Sequence, residues 1–190
     1  FITAHVKHRT LYLALKHGVV YPDPGAIKAV LSMRGLNSIQ THGTSWIEHD
    51  VAIPKGLDIE EYGQGRVTIL GRHVQVNAIN ETGNSNLRIR YVSSKTLKIT
   101  ASEHAKIKLT GHVNHLYINL EGYARLDARY LQADTIWVRT IHKASAKINP
   151  RHALNAFAYD HSNIYYYHNP AHLHRVSELS GNILYMRDYR

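Results

Sequence analysis

The feature that most constrains this chain is a repeat close to twenty residues long. Align TSWIEH (44–49), QGRVTI (64–69), NSNLRI (84–89), HAKIKL (104–109), YARLDA (123–128), KASAKI (143–148), HSNIYY (161–166) and SGNILY (180–185). An apolar residue then occupies the fourth position each time: Ile47, Val67, Leu87, Ile107, Leu126, Ala146, Ile164 and Ile183. Successive spacings are 20, 20, 20, 19, 20, 18 and 19 residues. Two positions earlier the residue is small: Ser45, Gly65, Ser85, Ala105, Ala124, Ser162 and Gly181, with Ser145 shifted by one place in the sixth copy. Roughly ten residues after each copy comes a second alternating run: LDI (57–59), VQV (74–76), LKI (97–99), LYI (116–118), IWV (136–138) and AFA (156–158). Both runs are too short for the helix of a βαβ unit, and Gly, Asn, His and Ser turns join them.

A unit of two short strands cannot bury its own apolar face, so it is stable only when stacked on copies of itself. The repeat therefore predicts an all-β chain, a parallel β-helix or β-solenoid of about eight coils of 18–20 residues. Each coil lies on the last at the inter-strand spacing of roughly 4.8 Å, with apolar ladders inside. A β-sandwich of short strands is the competing architecture, and it leaves the regular period unexplained. Residues 1–34 fall outside the repeat and read as an N-terminal arm or cap, with residues 35–190 as the solenoid domain. Within the arm, TLYLALKHGVVYPDPG is apolar and ends in a Pro-Asp-Pro-Gly breaker, and AIKAVLSM (26–33) suits a short strand or a helix.

Composition narrows the function classes. A hydrophobic content of 44% with 19% charged residues excludes a disordered chain, and no apolar run approaches a membrane span. The chain opens on Phe1, as a processed product or part of a longer chain does. Without cysteine there is neither a disulfide framework nor a thiolate site. A formal charge of +9, with fifteen histidines in reserve, favours acidic partners, namely nucleic acid, anionic lipid or polysaccharide, or an acidic protein, and charge alone does not choose among them.

The stretch HSNIYYYHNP (161–170) poses the sharpest local question, because His161, His168, His172 and His174 lie close together in sequence around three tyrosines. They lack the i, i+4 spacing of a zinc helix and bring only Asp160 as a carboxylate. In the repeat this stretch is the seventh rung. Ile164 and Tyr166 then point inward, Tyr165 and Tyr167 outward, and His161 and His168 fall in corners.

The repeat and four stretches together resemble one known family. LNSIQTHG (36–43), IPKGLDIE (53–60), NLRIRYVSSKTLKITAS (86–102), and NIYYYHNP (163–170) followed by SELSGNILYM (177–186) are similar to the head GIN domain family, putative auto-transporter adhesins of bacterial envelopes. The resemblance covers roughly residues 35–187. It implies a small, single-stranded, right-handed β-helix exported to the cell envelope, and it brings no established catalytic residues.

The outward positions carry the candidate binding residues. Flanking the first ladder are Arg66, Arg88, Lys106, Lys108, Arg125 and Lys147, against a single acid, Asp127. Like charges stacked at coil spacing repel, so solvent and salt or an acidic partner must offset them. On the second strand Tyr117, Trp137 and Phe157 are spaced by twenty residues and face out in three neighbouring coils. Such a stripe is expected to be covered, by the arm or by a protein partner, or else to serve as a sugar platform. Polysaccharide lyase or hydrolase chemistry needs carboxylates gathered on one face, whereas Asp58, Glu60, Asp127, Asp134 and Asp160 are scattered. Nucleic-acid binding lacks any recognised module.

These residues point to a non-catalytic interaction or scaffold module with no cofactor and no metal, and the resemblance implies that it belongs to the bacterial envelope, periplasmic or outer-membrane-associated. Its partners are expected to be proteins of a larger assembly, such as a secretion-system core, or further copies of itself. The alternative is a carbohydrate-binding or polysaccharide-active β-helix.

Overall fold

The computed structural model describes residues 2–16, 36–49, 53 and 55–187. Every helix or strand among the described residues is a strand. Internal contacts divide the chain into two compact units, Phe1–Met33 and Arg34–Arg190.

In the first unit, β1 (Ile2–Lys7) and β2 (Thr10–Leu15) form an antiparallel hairpin that the repeat gave no hint of. Its two-residue turn is His8-Arg9, with φ of 49° and 63°, the left-handed pair that a type I′ turn requires. The usual Asn-Gly signal is missing, which is why the turn escapes a motif search. The stacked rings of His5 and Tyr12, 4.9 Å apart, brace the two strands. The segment AIKAVLSM lies outside the described residues.

The second unit is one parallel sheet wound into stacked coils. Its strands are β3 (Ser38–Gly43), β4 (Trp46–His49), β5 (Leu57–Gly63), β6 (Arg66–Ile69), β7 (Val76–Gly83) and β8 (Asn86–Ala101). Then come β9 (Lys106–Leu120), β10 (Arg125–Thr140), β11 (Ser145–Ala158), β12 (Asn163–Tyr166), β13 (His172–Ser177) and β14 (Asn182–Tyr185). The ladder read from the repeat is present in full: Ile47 pairs with Val67, Val67 with Leu87, Leu87 with Ile107 and Ile107 with Leu126. Leu126 then pairs with Ala146, Ala146 with Ile164 and Ile164 with Ile183. The members from Val67 to Ile164 are buried, while Ile47 and Ile183, each with a ladder neighbour on one side only among the described residues, are half-buried. Eight rungs bound about seven turns, one fewer than a count of rungs as coils gives.

The coil differs in detail from a two-strand period. Between β8 and β9 three stretches pair: Asn86–Ile89, Val92–Ser94 and Thr96–Ala101. These define a first, second and third face. The strand bends between the first two at Tyr91 (φ 57°) and, one coil on, at Gly111 (φ 131°), so it runs 16 residues in β8 instead of stopping after four or five. The middle stretch is short and carries Ser, Gly and His beside a single inward Val, so it showed no alternation.

Three local registers also depart from the repeat. VQV (74–76) is not the main run of its coil. A bulge after Val76 makes Asp58 pair with Ala78 and Ile59 with Ile79, so the third-face strand is Val76–Gly83. The sixth small residue of the corner is the buried Ala144, while Ser145 pairs outward with Arg125. Finally, two irregularities between β10 and β11 shorten that coil: Asp127 pairs with Lys147, but Ile136 pairs with Leu154. A twenty-residue offset has become eighteen on the third face, which moves Phe157 out of the column of Trp137.

Candidate functional site

On the third face the period-two alternation buries Leu116, Ile118, Ile136 and Val138 and turns Tyr117 and Trp137 outward. The two aromatics are direct cross-strand neighbours, 46% and 37% exposed. With Thr96, Lys98, Thr100 and Asn119 they line an open groove of about 560 Å³. Phe157 does not continue the column as the sequence predicts, because of the shortened coil. It stands beside Arg139 and is half-buried, and Asn155 takes the place next to Trp137. The ring nevertheless reaches back diagonally to Trp137, with centroids 5.5 Å apart and planes tilted by 41°. On its other side it meets His174 edge-on at 5.7 Å. One member of the histidine group thus joins the aromatic face, a link that spacing alone did not show.

The remaining histidines spread out. His161 is in the turn before β12, His168 follows the tyrosines, and His172 is two residues before His174 on β13; all are exposed. Among the described residues no three His, Cys, Asp or Glu side chains gather as a metal site. Tyr166 is buried and packs on Tyr185 at 5.4 Å, whereas Tyr165 and Tyr167 are half-exposed, as the seventh rung predicts.

The basic residues lie on the outside of the first face, in two columns. Arg66, Lys106 and Arg125 share one with Trp46 and Asn86; Arg88, Lys108 and Lys147 share the other with Thr68 and Asp127. All are exposed except Lys147, which is half-buried. Their mutual repulsion is relieved in part: Asp127 sits between Lys108 and Lys147, and the Arg66 guanidinium lies over the Trp46 ring at 5.6 Å. Asp127 also accepts two bonds from Arg129, at 2.9 and 3.0 Å. Desolvation pushes the Asp127 carboxyl up, but the hydrogen bonds and charge of Arg129, with Lys108 nearby, carry it below its ordinary value. The Lys106–Arg125 neighbours have no such acid, and among the described residues none of the six basic side chains forms an ion pair.

Among the described residues the exposed and part-buried acids meet side chains of other types: Glu60 takes the amide of Gln40 at 3.0 Å, Asp134 faces His152 at 3.7 Å, and Glu121 and Asp160 flank His142 at 3.7 and 4.0 Å. Two buried acids that stand side by side were missed. Extending the alternation of Leu57 and Ile59 by two places puts Glu61 inside, and extending Ile79 does the same for Glu81. They are paired on neighbouring coils, 0% and 1% exposed, at the inner corner between the third and first faces. Burial pushes Glu81 up to about 9, opposed by the nearby Ser85 hydroxyl and reinforced by the Glu61 charge; burial also raises Glu61. None of these carboxyl oxygens has a well-formed hydrogen bond.

A parallel β-solenoid of short coils, with an aromatic groove on one outer face and basic columns on another, is the class these features define. The chain belongs to the putative auto-transporter adhesin, head GIN domain family, whose model matches residues 2–170. The match reaches back through the hairpin, which the sequence reading left outside the family, and stops before the last rung. Two solved structures share the fold. A putative adhesin from Bacteroides fragilis has 19% identity over 97% of this chain and 76% of its own, with a TM-score of 0.68. A putative lipid binding protein from Parabacteroides distasonis has 18% identity over 98% of this chain and 79% of its own, with a TM-score of 0.77. No curated protein matches the sequence.

Proposed function

We propose that this chain is a non-catalytic, adhesin-like interaction module, exported to the bacterial cell envelope, that binds a protein partner through its third face. One observation carries the reading: Tyr117 and Trp137 stand side by side on neighbouring coils and open onto a groove, although the core beneath is complete without them. Tyr and Trp are the residues that anchor protein interfaces, where they supply large contact area at small entropic cost. Phe157 extends the patch, and Lys98 and Arg139 supply its polar rim. The basic columns of the first face then steer an acidic surface toward the module and fix its orientation. An accessory subunit of an outer-membrane-associated assembly, such as a secretion-system core, fits this pattern; so does self-association. Among the described residues no helix is long and apolar enough to cross a membrane.

Carbohydrate binding is the second reading, favoured by the open aromatic pair, since sugars stack on exposed Tyr and Trp rings. A polysaccharide-cleaving version is disfavoured by the groove itself, whose lining includes Lys98 and no carboxylate. The test is retention of the full chain on gently solubilised envelopes, with bound proteins identified by mass spectrometry. Trp137→Ala and Tyr117→Ala should each reduce recovery of the same partner at least tenfold. Undiminished recovery with both variants refutes the protein-binding face, and competition by a defined oligosaccharide transfers it to the second reading.

A further inference from the structure

The inner corner of the solenoid is filled by two residues per coil, one ending the third face and one preceding the first. In successive coils the pairs are Thr41/Ser45, Glu61/Gly65, Glu81/Ser85, Ala101/Ala105, Leu120/Ala124 and Thr140/Ala144. Size is complementary: a β-carbon at Gly65 would lie 2.5 Å from the Glu61 Oε1 and 3.1 Å from the Ser45 Oγ, so Gly65 is what lets the carboxylate in. That geometry also places the Ser45 hydroxyl and the Glu61 carboxylate around one point.

Nothing in the fold demands polar residues here. The fourth and fifth coils close the same corner with Ala and Leu alone. Further along, the buried hydroxyls of Thr140 and Ser162 satisfy each other at 2.8 Å, and Ser162 also donates to the Thr140 carbonyl at 3.0 Å. The first three coils are different. Thr41 Oγ1, Ser45 Oγ, both oxygens of Glu61, both of Glu81 and Ser85 Oγ are all buried without a hydrogen-bond partner. A shared proton would relieve the two carboxylates, with the Ser85 hydroxyl beside Glu81, but would leave the Thr41 and Ser45 hydroxyls as they are, and such groups are costly to bury unpaired.

We propose that this corner binds a hard divalent cation, calcium, between Glu61 and Glu81, with the Thr41, Ser45 and Ser85 hydroxyls completing an all-oxygen shell. Seven buried oxygens line this corner over three successive coils, and calcium takes six to eight in flexible geometry. Two stacked carboxylates match a double positive charge, which a monovalent ion would leave half uncompensated in the core. Magnesium demands tight octahedral geometry and keeps its waters, and the absence of nitrogen and sulfur donors disfavours zinc and copper. A cation linking coils at this end of the solenoid would couple folding to the calcium of an exported environment.

The experiment titrates calcium chloride into the chelator-stripped full chain, followed by calorimetry and thermal unfolding. Saturable one-to-one binding with a rise of several degrees in unfolding temperature is expected, with magnesium at least tenfold weaker. Glu81→Gln should weaken calcium at least tenfold. Ser85→Ala, which copies the residue that three later coils use, should weaken it severalfold without lowering the unfolding temperature in chelator. Absence of saturable binding overturns the proposal in favour of a shared proton or buried water. Binding that survives both substitutions overturns it by placing the ion elsewhere.

Discussion

Replacing Ile107 by Asp, with Lys108→Asp as its neighbour control, separates inside from outside on the first face. Ile107 is 3% exposed, held between Leu87 and Leu126 in the ladder. Loss of its side-chain burial costs about 1.5–3 kcal/mol. Seating a carboxyl in the same place, charged without a partner or forced to stay protonated, adds several more, for a total on the order of 5 kcal/mol. For a unit of this size each kcal/mol moves the unfolding temperature by about 2–4 °C, so a fall of more than 10 °C is expected by scanning calorimetry. Lys108 is exposed and stands between Arg88 and Asp127, so the new acid gains one favourable neighbour and one unfavourable one. Its effect should stay within about 1 kcal/mol. Equal shifts for the two variants would refute the ladder and the coil stacking built on it.

Gly83→Ala should destabilise by about 2 kcal/mol or more in urea unfolding, because φ there is 96° and the new β-carbon would lie 2.3 Å from the Gly63 carbonyl oxygen. Gly43→Ala, at φ 71° with no atom within 4 Å, should cost about half as much. The Asp127 carboxyl lies below its ordinary 3.8 in the folded chain, so its contribution is present above that value and is lost as pH falls through the lowered one. The group is partly exposed and the effect is small; urea midpoints at pH 6 and pH 2.5 should differ less in Asp127→Asn than in the parent. Stoichiometric zinc should leave the unfolding temperature unchanged, since His161, His168 and His172 are exposed and separate; a one-to-one stabilisation abolished by His168→Ala or His172→Ala would show otherwise.

The first face was legible because its strand is regular: one inward apolar residue, two places after a small one, recurs in every coil, and no bulge interrupts it. The third face was legible only where the offset stays near twenty, which is why Tyr117 and Trp137 fell in register and Phe157 did not. Bulges leave no mark in an alternation count, since the apolar residues on either side still alternate. The second face hid behind Ser, Gly and His, and the hairpin behind a His-Arg turn. Glu61 and Glu81 were passed over for another reason: a charged side chain reads as exposed, and only strict continuation of the inward phase from Leu57–Ile59 and from Ile79 reveals them.

The central claim, that the third face is the binding surface, is tested most directly by a photo-crosslinking amino acid placed at Tyr117 in the full chain within intact envelopes. Position 117 looks into the groove, and His112, exposed on the second face of the same coil, serves as the comparison site. The account predicts a discrete protein adduct from position 117 that is absent from position 112 and lost on adding Trp137→Ala. Adducts of equal yield from both positions, or none from 117 while 112 crosslinks, would contradict it.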